Sequence, residues 1–92
     1  MEIRVSWDPW KASVNERKHG VSFDEAATVL RDEQSVSIPD RYHSHAESRY
    51  ISIGMSRRWR LLVVVYAEDG DTLRIVSARV ATPTERRTYE EG

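Results

Sequence analysis

Ninety-two residues suffice for one hydrophobic core and are too few for two, so a single domain over residues 1–92 is expected. A net charge of −1 excludes the global basic field of a histone-like protein, so any anion site must come from local arrangement. The absence of cysteine excludes disulfide and zinc-thiolate staples, while three Trp and four Tyr in a chain that is 39% hydrophobic disfavour disorder.

The opening MEIRVSWDPW lacks the apolar run of a signal peptide or membrane span, so a cytoplasmic protein with no membrane partner is expected. Within it, Glu2 to Trp7 alternates polar and apolar residues, the period of a half-buried edge strand. Asp8 before Pro9 starts a helix, because Asp caps and Pro loses nothing at the first helical position; the helix should run to His19 and stop at Gly20. Ser22-Phe23-Asp24-Glu25 is an S-x-x-E capping box, and Phe23, Ala26, Ala27 and Leu30 share the buried face of a second helix ending near Asp32. Ser35 to Ile38 alternates up to Pro39 as a short strand, and residues 39–48 form a polar loop. Three longer strands follow, at about 49–55, 60–67 and 72–81, the last two joined through Asp69-Gly70. Thr82-Pro83-Thr84-Glu85 then combines a capping box with Pro at the first helical position, predicting a short C-terminal helix. The expected fold is α+β, with two N-terminal helices packed on an antiparallel sheet.

If Asp69-Gly70 is a two-residue type I′ turn, counting back puts Tyr66 opposite Leu73, Val64 opposite Ile75, Leu62 opposite Ser77, and Arg60 opposite Arg79. One face then holds Leu61, Val63, Val65, Val76 and Ala78, with Arg74 near the turn, and is expected to be core. The other holds Leu62, Val64, Leu73 and Ile75, with Arg60 and Arg79 together at one end. Opposed arginines repel unless an anion lies between them. Either a phosphate fills that role, since guanidinium forks match its oxygens, or a helix carboxylate neutralises both. Arg57 and Arg58 enlarge this cationic end.

Other groups have two readings as well. Lys18 and His19 end the first helix, where Lys18 can bind phosphate and His19 move a proton, or both can simply complement the helix dipole. Tyr50, Tyr66 and Tyr89 can stack on bases or merely pack. His43 and His45 lack further ligands, so no metal site is expected. No glycine-rich phosphate loop, nucleophile elbow or zinc-protease motif is present.

Taken together, Trp7-Asp8, Lys11, Asn15, the Lys18-His19-Gly20-Val21-Ser22-Phe23 block, Glu25-Ala26, Glu47, Arg49, Ile53-Gly54, Arg60-Leu61 and Val63 to Val65 form a pattern. It continues through Arg74-Ile75, Ser77-Ala78-Arg79, Ala81, Glu85-Arg86 and Tyr89, and across nearly the whole chain it resembles the BrnT family of bacterial toxins. The resemblance implies a RelE-like ribonuclease fold and a type II toxin–antitoxin pair. In such a pair a BrnA-like antitoxin binds the toxin, and its ribbon-helix-helix domain alone contacts operator DNA. The implied activity is RNA cleavage that inhibits translation and arrests growth, with no cofactor. One departure is Val80, where family members often carry a basic residue, which bears on RNA contact. On this reading Arg60 and Arg79 bind the scissile phosphate, assisted by Lys18, Arg57, Arg58 and Arg74, while His19 and Tyr66 compete for proton transfer. The alternatives are a degenerate toxin kept as co-repressor of its antitoxin and, on fold alone, a gyrase poison.

Overall fold

The computed structural model describes residues 3–43 and 47–92. In chain order its elements are β1 (Arg4–Ser6), α1 (Pro9–His19), α2 (Phe23–Val29), β2 (Val36–Pro39), β3 (Arg49–Met55), β4 (Leu61–Asp69), β5 (Thr72–Val80) and α3 (Pro83–Glu91). The strands make one sheet in the order β1-β5-β4-β3-β2. β1 lies parallel to β5, pairing Arg4 with Thr72 and Ser6 with Arg74, whereas the other neighbours are antiparallel. The α+β class is as expected, but the sheet is mixed rather than antiparallel. A long crossover separates β1 from β5, and such a connection permits a parallel return. Among the described residues no helix is long and apolar enough to cross a membrane.

The caps form where local chemistry demands them. Asp8 accepts from the Trp10 N–H at 2.8 Å, and Gly20, at φ +70°, closes α1 in the left-handed conformation. Thr82 and Glu85 complete a reciprocal capping box at the start of α3. Only half of the Ser22 box forms: Ser22 accepts the Glu25 N–H, but the Glu25 carboxylate turns inward instead. α2 stops at Val29, and Asp32 beyond it accepts hydrogen bonds from the Gln34 and Met55 N–H groups and from the Tyr89 hydroxyl. Burial raises the Asp32 pKa, but these three donors outweigh it and hold the carboxyl below its usual range.

The hairpin register departs from the expected one for two reasons. Asp69 pairs with Thr72, so the turn residues are Gly70 and Asp71, with positive φ at Gly70 only. That is the φ pattern of a type II′ turn, which wants Gly at its first central position, whereas type I′ wants positive φ at both. This shift is even and leaves the faces unchanged. A β-bulge then intervenes: Tyr66 pairs with Ile75 but Val65 with Ser77, leaving Val76 without a counterpart on β4. An odd shift exchanges faces. Beyond the bulge, Ala78 pairs with Val64 and Arg79 with Val63, so Arg79 is not opposite Arg60.

The core consequently sits on the other face from the one expected. Leu62, Val64, Ile75 and Ala78 pack under Val21, Phe23, Ala26, Ala27 and Val29, with Trp7 edge-on to Phe23 at 6.2 Å. Asn15 joins α1 to this layer. Its side-chain amide donates to the carbonyls of Ala78 (2.9 Å) and Val21 (3.1 Å) and accepts the Ala78 N–H at 3.1 Å. A single buried side chain thus takes the place of a neighbouring strand where β5 runs on past the short β1. On the opposite face, Arg79, Val63, Ile53 and Val36 form one continuous row across four strands. α3 spans it: Glu85 holds Arg79 at one end, and Gly92 meets Val36 at the other.

Candidate active site on the open half of the sheet

Beside the α3-covered row, Ser77, Val65 and Ile51 line up in the next register row and, with Val76, floor a depression of about 390 Å³. Asp40, Tyr42, His43 and Arg49 wall it. Arg49 and Arg74 flank Ala67 in the row after that, and Glu47 bridges them, accepting from Arg49 Nε at 3.2 Å and from Arg74 Nη2. The Arg74 guanidinium, aided by Arg49, holds the Glu47 carboxyl below its usual range despite some desolvation. Arg79 lies on the same face in the adjacent, α3-covered row, opposite Val63 and outside the lining of the depression. Glu85 grips it with two hydrogen bonds of 2.9 and 2.7 Å, and this fork pulls the Glu85 carboxyl down to about 2.

The loop after Pro39 shapes the fourth wall. The Asp40 N–H donates to the Arg49 carbonyl at 2.8 Å, which closes the neck between β2 and β3 and buries the Asp40 side chain. His43, one turn later and exposed, places Nδ1 at 3.0 and 3.2 Å from the two Asp40 carboxylate oxygens. A carboxylate can only accept, so Nδ1 donates here, and in the neutral ring this leaves the lone pair on Nε2. An oriented imidazole beside guanidinium groups can transfer a proton and stabilise developing phosphoryl charge. Among the described residues no three His, Cys, Asp or Glu side chains gather as a metal site, and His45 lies outside them.

The residues singled out from the sequence separate into four places. Arg60 lies on the helix side, donating from Nε to Glu25 at 2.9 Å and from Nη2 to the Gly20 carbonyl at 3.1 Å. Its Glu25 partner is 3% exposed, also accepts from the Ser56 hydroxyl at 2.7 Å, and is held below the usual range chiefly by Arg60, against the effect of burial. The Arg60–Arg79 cradle is therefore replaced by two separate ion pairs, Arg60–Glu25 and Arg79–Glu85. Arg74 and Arg79 share the open face. Lys18 and His19 line a second depression with Trp10, Lys11, Val14 and Asn15; Val76 and Ser77 line both depressions, so the two meet at the bulge. Arg57 and Arg58 occupy the exposed turn between β3 and β4. Tyr66 lies on the helix side of the sheet, stacked on Tyr50 at 5.5 Å, away from the arginines of the open face.

Sequence reasoning passed over Asp40, weighed His43 only as a metal ligand and set it aside, and left Arg49 without a catalytic role. The available signal was an Asp-x-x-His turn directly after a strand that ends in proline.

Comparison with known proteins meets this geometry from outside. The crystal structure of the Brucella abortus ribonuclease toxin BrnT, at 1.1 Å resolution, superposes with a TM-score of 0.68 over 88% of this chain and 99% of that one. At 24% sequence identity it shows the fold. Curated proteins give no match. A family model described as "Ribonuclease toxin, BrnT, of type II toxin-antitoxin system" matches residues 7–85, which takes in α1, α2, the four strands β2 to β5 and the Arg79–Glu85 pair. With that much of its length matched, the chain belongs to the BrnT family of ribonuclease toxins of type II toxin–antitoxin systems.

Proposed function

We propose that this chain cleaves RNA on the open half of its sheet without a metal, using the substrate's own 2′-hydroxyl as nucleophile. The observation that carries the reading is His43, oriented by buried Asp40 in the same depression as Arg49, with Arg74 and Arg79 on the same face. His43 Nε2 accepts the 2′-hydroxyl proton as O2′ bonds to phosphorus. The P–O5′ bond then breaks, and the departing 5′ oxygen takes a proton from the imidazolium or from water. The products are a 2′,3′-cyclic phosphate and a 5′-hydroxyl. Arg79 and Arg49 stabilise the phosphorane charge, and Glu85 and Glu47 pre-orient the guanidinium groups. Lys18 and His19 bind flanking RNA across the Val76–Ser77 bulge. Arg60 has a positioning role through Glu25, and Tyr66 has no part in proton transfer.

In the cell this activity inhibits translation and arrests growth. A BrnA-like ribbon-helix-helix antitoxin neutralises it by covering the half-apolar floor of Ile51 and Val65, and operator DNA is reached only through that antitoxin. The purified chain incubated with RNA, with and without EDTA, tests the proposal. Cyclic-phosphate ends formed equally in both are expected, with His43→Ala lowering the rate roughly 10²- to 10⁴-fold. An inert wild-type protein that still binds its antitoxin would make it a co-repressor instead, and inhibition of supercoiling would make it a gyrase poison.

A further inference from the structure

The turn between β3 and β4 presents Trp59 with 85% of its surface exposed, at φ +61°. That left-handed conformation is unfavourable for a bulky side chain and persists only where the surroundings impose it. Here they do. The Ser56 N–H donates to the Arg60 carbonyl at 2.8 Å and the Trp59 N–H to the Ser56 carbonyl at 2.9 Å. The Arg57 N–H is held by the Thr28 hydroxyl at 2.9 Å, and the Ser56 hydroxyl, itself bound to Glu25, accepts from the Arg58 and Arg60 N–H groups. Ser56 and Glu25 are each 3% exposed, so a buried base carries a rigid, exposed tip.

At that tip the indole makes no ring contact or cation–π contact among the described residues. Among the described residues the exposed guanidinium groups of Arg57 and Arg58 make no ion pair or side-chain hydrogen bond, and Arg58 acts on Glu25 only through its charge. A strained aromatic directly after two such cations suits an unpaired base stacked on the indole, with a neighbouring phosphate on the arginines. A protein-docking anchor would instead be ringed by apolar neighbours, and the sequence neighbours of Trp59 are arginines.

We propose that the Arg57–Trp59 turn is a preformed stacking site for a single-stranded nucleobase, lying outside the cleavage site. It deepens the ribonuclease reading and rests on it: Trp59 lies six residues before Val65 of β4, roughly 20 Å at the rise of a strand, so a short run of RNA spans both. Trp59→Gly separates a functional role from a structural one, because glycine adopts positive φ without strain. The probe is a fluorescein-labelled 2′-O-methyl oligoadenylate, which cannot be cleaved by 2′-hydroxyl attack. Trp59→Gly should melt no lower than the wild type and bind the probe roughly 5- to 150-fold more weakly, whereas Trp59→Phe retains most of the affinity.

Unchanged probe affinity in folded Trp59→Gly overturns the inference. So does equal wild-type affinity for an abasic oligonucleotide of the same length, or a Trp59→Gly defect confined to antitoxin binding. His43→Ala should bind the probe normally and not cleave RNA. If it cleaves while Trp59→Gly loses binding, the cleavage-site reading fails alone.

Discussion

Asn15→Ala removes the side chain that seals β5 where it runs on past the short β1. Three hydrogen bonds disappear, leaving the Ala78 N–H and the carbonyls of Ala78 and Val21 without their partner in a buried setting. A stranded buried polar group costs about 1–3 kcal/mol, and water entering the space left by the amide recovers part of that, so a net loss of roughly 2–4 kcal/mol is expected. A domain of this size has a total stability of roughly 5–14 kcal/mol, so the loss is a large share. At about 4–8 °C per kcal/mol, the melting temperature should fall by roughly 10–25 °C. Asn15→Asp should be worse, since it retains an acceptor for the Ala78 N–H but turns a second oxygen towards two carbonyls. Urea unfolding gives the free energy, and hydrogen exchange at the Ala78 amide reports the local change. An Asn15→Ala protein within about 0.5 kcal/mol of wild type, with Ala78 still protected, would refute the edge-sealing argument.

Two further expectations concern the Arg79–Glu85 fork. Arg79→Ala should slow RNA cleavage by roughly 10²-fold or more while costing about 1 kcal/mol or less in stability, because the arginine is partly exposed. Single-turnover cleavage and melting read the two effects, and full activity in a folded Arg79→Ala protein removes this residue from the site. The Arg79 guanidinium depresses the Glu85 carboxyl to about 2 from 4.5, so the stabilisation is complete above the unfolded value and is lost as pH falls through that window. The loss should be on the order of 1–2 kcal/mol once solvent screening at Arg79 is allowed for. Glu25, lowered chiefly by Arg60, acts in the same direction. Melting curves from neutral to acid pH should show this decline, and Arg79→Ala should flatten the Glu85 share of it.

Local chemistry was readable in the chain alone wherever the partners are close in sequence. Asp8, Ser22 and Thr82 cap helices within three residues of themselves, Gly20 ends α1, and the alternation of β3 assigns its side chains to faces. The family pattern was legible for the same reason, as a string of residue types. What needed the tertiary structure was everything settled at long range. Val76 looks like any other β-branched strand residue, and only pairing across the sheet makes it a bulge, which carries Arg79 to the face opposite Arg60. Asn15 is one polar residue of α1, but its partner Ala78 is 63 residues away; Glu25 completes a capping motif, yet its carboxylate is claimed by Arg60, 35 residues on. Backbone propensities and caps act over a few bonds, whereas register and ion-pair choice are decided by which distant surfaces pack together, and it is the latter that placed the arginines of this site.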